Sequence, residues 1–260
     1  MKPGEMKYRY ITTAIFYVVM VTGLLQVSSV FAQRQVIALQ PGKPWRLEVG
    51  LYEGDISIQG YAGNEIVIDA VFPPKNSGER IEVQKGDDGL IKISTPLLSP
   101  RCVLKLKIPE KNVAVKLGTV LNGNIELSGV QGNVEVDNVS GNLLLTGISG
   151  TVLANTVNGN VTVKMTSVKP GTPLTFSSVS GAIDVSLPAN INADVRLKSD
   201  IGTLTSDFDV EDKSKQKLIF QNQRSTAMGG KGWLGVKINA GGTDVLITNV
   251  SGNITLRKNH

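Results

Sequence analysis

Cut every nine residues, positions 121–165 read LNGNIELSG, VQGNVEVDN, VSGNLLLTG, ISGTVLANT and VNGNVTVKM. Position 1 is always Leu, Val or Ile, and position 3 is always glycine: Gly123, Gly132, Gly141, Gly150 and Gly159. Position 4 is Asn in four copies and Thr in one, and positions 5 and 7 are aliphatic throughout. Gapless self-similarity at a fixed period is the mark of a stacked-repeat architecture. Positions 5 and 7 are alternate residues of a short strand and face one way, while position 6 faces the other. Glycine at position 3 permits a positive φ and therefore a turn, and the Asn after it can bond its own backbone at that corner. The small or polar pair at positions 8 and 9 (Ser128-Gly129, Asp137-Asn138, Thr146-Gly147) makes the opposite bend. Each repeat offers about three aliphatic side chains to a core, worth roughly 1.5–3 kcal/mol apiece on burial. It must fix nine backbone units at about 1–2 kcal/mol each. One repeat cannot fold alone, so several must stack.

Working outward, Val179-Ser180-Gly181-Ala182-Ile183 and Val250-Ser251-Gly252-Asn253-Ile254 match the same pattern, and Ile201-Gly202-Thr203-Leu204 is a weaker copy. Near the start, Glu53-Gly54-Asp55-Ile56 and Ala62-Gly63-Asn64 again set glycines nine apart. Inserts lie at 72–80, at 169–173 and around 207–232. No window shows a 3.6-residue apolar period, so the fold class is all-β. An antiparallel meander or roll would use each Asn-Gly as a hairpin turn. A parallel β-solenoid, β-helix-like, would use two nines per coil. It predicts a ladder of Asn124, Asn142 and Asn160, with Leu127, Leu145 and Val163 stacked beside it. The solenoid accounts for the recurrence of Asn, which gains from in-register stacking, and is the preferred architecture.

Residues 1–32 read as a signal peptide: Lys2, Lys7 and Arg9 precede a mostly apolar run, and Val30-Phe31-Ala32 supplies a small-residue cleavage site. If uncleaved, residues 11–30 would be the one membrane contact. Residues 33–260 then form a single exported β-repeat domain, in the periplasm, on the cell surface or outside the cell. The formal charge of +5 is small and dispersed, which argues against nucleic acid as a partner. Cys102 is the only cysteine and sits on the same strand face as Leu104, Leu106 and Ile108, so it is expected to be buried as a small apolar residue.

The pattern resembles the bacterial β-strand-repeat proteins of the DUF4097 family, which carry an adhesin label. The resemblance rests on Gly54-Asp55-Ile56-Ser57-Ile58, on Ile108-Pro109-Glu110-Lys111-Asn112-Val113 leading into the array, and on the Asn-Gly-Asn and Ser-Gly-Asn repeats. Gly229-Gly230-Lys231-Gly232 before the last Val250-Ser251-Gly252-Asn253-Ile254 extends it, so that it covers most of 45–258. It implies a β-solenoid exposed in the cell envelope, and it brings no catalytic residues.

The residues themselves offer little for chemistry. His260 is the only histidine and lies at the last position, so no triad or His/Cys zinc site is expected. The Gly-Gly-x-Gly-x-Asp pattern of calcium nonapeptides is missing. Asp207, Asp209, Glu211 and Asp212 read as a solvated loop balanced by Lys213, Lys215 and Lys217, and Gly229–Gly232 is no phosphate loop. Trp233 is expected to pack over the open end of the stack. No catalytic, cofactor-binding or metal-binding residue is assigned and no cofactor is expected. The function expected is a non-enzymatic adhesin-like binding or structural module, its partner an envelope protein, a glycan or a surface. The alternatives are a small polysaccharide-active β-helix enzyme with paired carboxylates, or a scaffold polymerising end to end through uncapped coils.

Overall fold

Residues eighteen apart lie side by side: Leu143 pairs in parallel with Ile125 on one flank and with Val161 on the other. That spacing is two nines per coil, so the chain is a parallel β-solenoid and not a meander. A computed structural model describes residues 32–40, 42–73, 78–209, 218–221, 224–228 and 232–259. The N-terminal apolar segment, the acidic residues 211–212, residues 229–231 and His260 lie outside them. No helix occurs among the described residues.

Each coil crosses two faces. Face one is built in spatial order from β4 (Glu82–Lys85), β5 (Leu90–Ser94), the first half of β2 (Arg46–Tyr61), β7 (Lys111–Leu121), β9 (Gln131–Ser140), the second half of β10 (Leu143–Asn158), β12 (Leu174–Ser180), β19 (Thr243–Ser251), β14 (Ala193–Ile201) and β18 (Leu234–Ile238). Face two runs β1 (Ala32–Ala38), β3 (Glu65–Val71), β6 (Cys102–Pro109), the second half of β2, β8 (Ile125–Ser128), the first half of β10, β11 (Val161–Ser167), β13 (Ile183–Pro188), β20 (Ile254–Asn259), β15 (Thr203–Ser206), β17 (Arg224–Met228) and β16 (Leu218–Gln221). Because β2 and β10 run through both faces, the two ladders join in one 20-stranded sheet wound on itself.

Counted along the axis there are eight coils, in the order 90–109, 46–61, 113–128, 131–146, 149–167, 174–188, 243–259 and 193–206. Two are out of chain order. The first coil of the sequence, 46–61, is inserted second, and the last, 243–259, is inserted between two coils made before it. Beyond the outermost coils every added strand is antiparallel: β3, β1 and β4 at one end, β17, β16 and β18 at the other. The outermost parallel coils are thus covered on both faces by antiparallel strands. Two smaller expectations also change. The 207–232 insert carries the β16–β17 hairpin against β15, and Ala62-Gly63-Asn64 is the turn into antiparallel β3 instead of a repeat copy.

The core follows from the repeat. Leu104, Ile56, Ile125, Leu143, Val161, Ile183, Ile254 and Leu204 form one inward column, one residue per coil, each at most 1% exposed. Leu127, Leu145 and Val163 stack as expected. The glycines of position 3 form a second column, and here the reason is closer contact than the turn alone demands. A Cβ on Gly141 would lie 2.1 Å from the Gly123 carbonyl oxygen, and one on Gly159 would lie 2.0 Å from that of Gly141. Coils touch backbone to backbone at this corner. Gly141 also has φ +135°, whereas Gly123 is glycine for contact alone, with a Cβ meeting the Gly54 oxygen at 1.9 Å.

Candidate functional site

The asparagines stack as the solenoid requires, but they bond between coils and not within their own corner. Asn142 N donates to Asn124 Oδ1 and Asn160 N to Asn142 Oδ1, both at 2.9 Å, and Ala182 N continues to Asn160 Oδ1 at 2.8 Å. Asp55 starts the ladder by accepting from Asn124 N at 2.9 Å, with its other oxygen held by Arg101 at 2.6 Å. Inside the same corner runs a buried polar column. Asn138 Nδ2 donates to Gly123 O, Ser178 Oγ to Gly159 O, Asn249 Nδ2 to Gly181 O and Ser199 Oγ to Gly252 O. Asp137-Asn138 is thus no bend: Asn138 is a buried strand residue that saturates the glycine carbonyls. These ladders are structural.

The two corners treat position 1 differently. Val130 and Ile148, after the φ +65° glycines Gly129 and Gly147, turn inward and are fully buried. At the glycine-stacked corner the position-1 residues Val139, Val157, Val179 and Val250 point out, and so does Val120, which is level with Val139 although Leu121 holds position 1 of its nine; on five adjacent coils these valines are 41–52% exposed. Four steps of about 4.8 Å make an apolar stripe on the order of 19 Å long. Beside it, two residues earlier in each strand, lies a lane of small polar side chains tied across coils. Asn155 Nδ2 donates to Asp137 Oδ1 at 2.9 Å and Ser177 Oγ to Asn155 Oδ1 at 2.6 Å.

Toward the 46–61 end this lane sinks into a groove of about 560 Å³ crossing β5, β2, β7 and β9 on face one. Its floor is Gly50 and Gly118. One wall is apolar, with Tyr52, Leu97, Val120 and Val139, the other carries Lys92, Glu48 and Lys116, and Asp137, in register with Gly118, closes the floor at β9. Leu97 is 79% exposed and belongs to a turn whose next residue, Leu98, has φ 65°, an uncommon conformation for a bulky side chain. The turn is pinned by Tyr52 N donating to Thr95 Oγ1 at 2.9 Å. Gly118 answers to packing, since a Cβ there would come 2.8 Å from Asp137 O. Gly50 does not: its φ lies outside the left-handed region and a Cβ would meet nothing within 4 Å. A glycine in a strand interior costs stability and often marks where another molecule approaches the backbone.

The charged wall is occupied by its own pairs. Lys116 Nζ lies 2.6 Å from Glu135 Oε1, and this carboxylate raises the lysine pKa above its ordinary value by accepting its hydrogen bond. Asp137 accepts from Asn155. Elsewhere, Cys102 is buried as expected and desolvation pushes its thiol up to about 11. Trp233 does not pack over the end of the stack. It is 44% exposed on face one, its ring 5.9 Å from Lys198 Nζ. No group of three or more His, Cys, Asp or Glu that could hold a metal ion occurs among the described residues.

Sequence reasoning missed the valine stripe and the groove. Gly50 was the available signal: it stands inside the alternating residues 46–52 of β2, with no turn residues beside it.

A solenoid of stacked β-coils agrees with the family comparison, in which the Toastrack DUF4097 model matches residues 16–257. The chain belongs to the Toastrack family. Among solved structures, this Toastrack chain is similar to a "putative cell adhesion protein" from Clostridium sporogenes ATCC 15579, at 15% identity and a TM-score of 0.53, covering 88% of this chain and 100% of that one. A "putative adhesin" from Bacteroides fragilis NCTC 9343 aligns at 11% identity and a TM-score of 0.35 over 88% of this chain and 97% of the other. At such identities the first likeness concerns the fold alone, and the second carries no argument. No curated protein matches the sequence.

Proposed function

We propose that this Toastrack protein is an exported, non-enzymatic adhesion module of the cell envelope, which binds its partner in the face-one groove over Gly50 and Gly118. The observation that carries this is Gly50, a strand glycine required neither by its φ nor by its neighbours. Apolar side chains left in solvent around it, Leu97 and Val120 above all, support the reading. So does the adhesion name borne by the Clostridium structure of the same fold. Export is supported by the basic, apolar and small-residue pattern of residues 1–32. Hydrolysis is disfavoured by the pairing of Glu135 with Lys116 and of Asp137 with Asn155. The test is adhesion of cells producing wild type or Gly50→Val, with fractionation showing equal amounts in the envelope. Wild-type adhesion lost in the variant supports the proposal; a cytoplasmic protein, or equal adhesion, overturns it.

A further inference from the structure

We infer that the groove takes an uncharged glycan chain lying along the solenoid axis; this rests on the adhesive reading of the same groove. The groove crosses four strands, three steps of about 4.8 Å or on the order of 14 Å, which suits a short run of sugars more than a single one. Its two walls match the two sides of a pyranose. Tyr52, Val120 and Val139 offer surface to the C–H face of the ring, where an aromatic side chain with a polar tip is especially suited. Opposite them, Lys92 and Lys116 carry donors on either side of the acceptor Glu48, and Asp137 offers acceptors at the β9 end of the floor, so hydroxyl groups, which donate and accept, find both kinds of partner. The bare floor at Gly50 lets the ring edge reach the sheet.

Other occupants fit less well. The groove holds two ammonium groups and two carboxylates, so an anionic polymer would meet Glu48 on the wall and Asp137 on the floor. A lipid surface would desolvate these charged groups and offer nothing in return. A peptide added as a strand needs a free edge, and here every strand is paired on both flanks: β5 with β4 and β2, β2 with β5 and β7, β7 with β2 and β9, β9 with β7 and β10.

The experiment titrates the full chain with three probes: a neutral tetramer of β-1,4-linked N-acetylglucosamine, a tetramer of galacturonate, and phosphatidylcholine vesicles. Gly50→Val, Tyr52→Ala and, as a control on face two, Leu144→Ser are titrated beside wild type. Expected is saturable binding of the neutral tetramer, weakened tenfold or more by Gly50→Val and by Tyr52→Ala, unchanged in Leu144→Ser, with Gly50→Val melting no lower than wild type. Preference for the galacturonate or the vesicles, no neutral binding at millimolar concentration, or binding indifferent to Gly50→Val overturns the inference. Cell adhesion abolished by Gly50→Val without any neutral binding overturns the sugar and keeps the adhesive groove. Adhesion and sugar binding both indifferent to Gly50→Val overturn both.

Discussion

Gly50 and Gly141 are the same residue under opposite constraints. At Gly141 a side chain would meet the Gly123 carbonyl at 2.1 Å and would have to adopt φ +135°. Gly141→Val is therefore expected to destabilise by more than about 1 kcal/mol in a denaturant titration. Gly50→Val has open space and an ordinary backbone, and valine suits a strand better than glycine, so its midpoint should hold or rise, by up to about 1 kcal/mol. Cys102 offers a third test at this scale. Its thiol is pushed from 9.0 to about 11 in the folded protein by desolvation. The unfolded chain then ionises first, so stability should fall as pH rises from 9.0 towards about 11. A maleimide should label Cys102 only after denaturation. That burial was legible in the sequence because strand alternation assigns Cys102 to the face of Leu104 and Leu106. The outward Val139 was not, because it carries the same letter as the inward Val130, and only the conformation of each corner separates them.

Between residue and molecule the unit is the coil, and what joins coils at the glycine corner is the asparagine ladder. Asn142 both donates to Asn124 and accepts from Asn160. Asn142→Ala should cost about 1 kcal/mol, the worth of one hydrogen bond. The ladder has a natural gap at Ala182, which donates to Asn160 but has no side-chain oxygen for the coil of Asn253 beyond it. Ala182→Asn should close that gap and raise stability by several tenths to about 1 kcal/mol, read from the thermal midpoint. The eighteen-residue coil was legible here because core columns depend only on the period. The interior polar column was not: Asn138 looked like a bend residue, and its role appears only once the Gly123 and Gly141 carbonyls are seen to point at it.

For the whole molecule, coil order was beyond the reach of the sequence. Every coil carries the same inward pattern, so nothing local says that 243–259 lies between 174–188 and 193–206 and not at the end. Its placement makes the C-terminus a joint. β19 pairs with β12 on one flank and β14 on the other, and β20 with β13 and β15. Deleting residues 243–260 should abolish the cooperative transition of the last coils, with amides of 193–206 exchanging as in an unfolded chain. The same arrangement sets a timetable. A ribosome finishes Thr203 fifty residues before Asn253, the residue whose side chain it is bonded to. During that interval the flanks of 174–188 and 193–206 lie open and alike, each with its glycine corner, Gly181 and Gly202, bare. They can clasp each other in a register that shuts the last segment out. The molecule is a zip fastened from its middle, with the slider arriving last, and refolding should show a slow phase that shortens when a separate peptide of residues 243–259 is supplied.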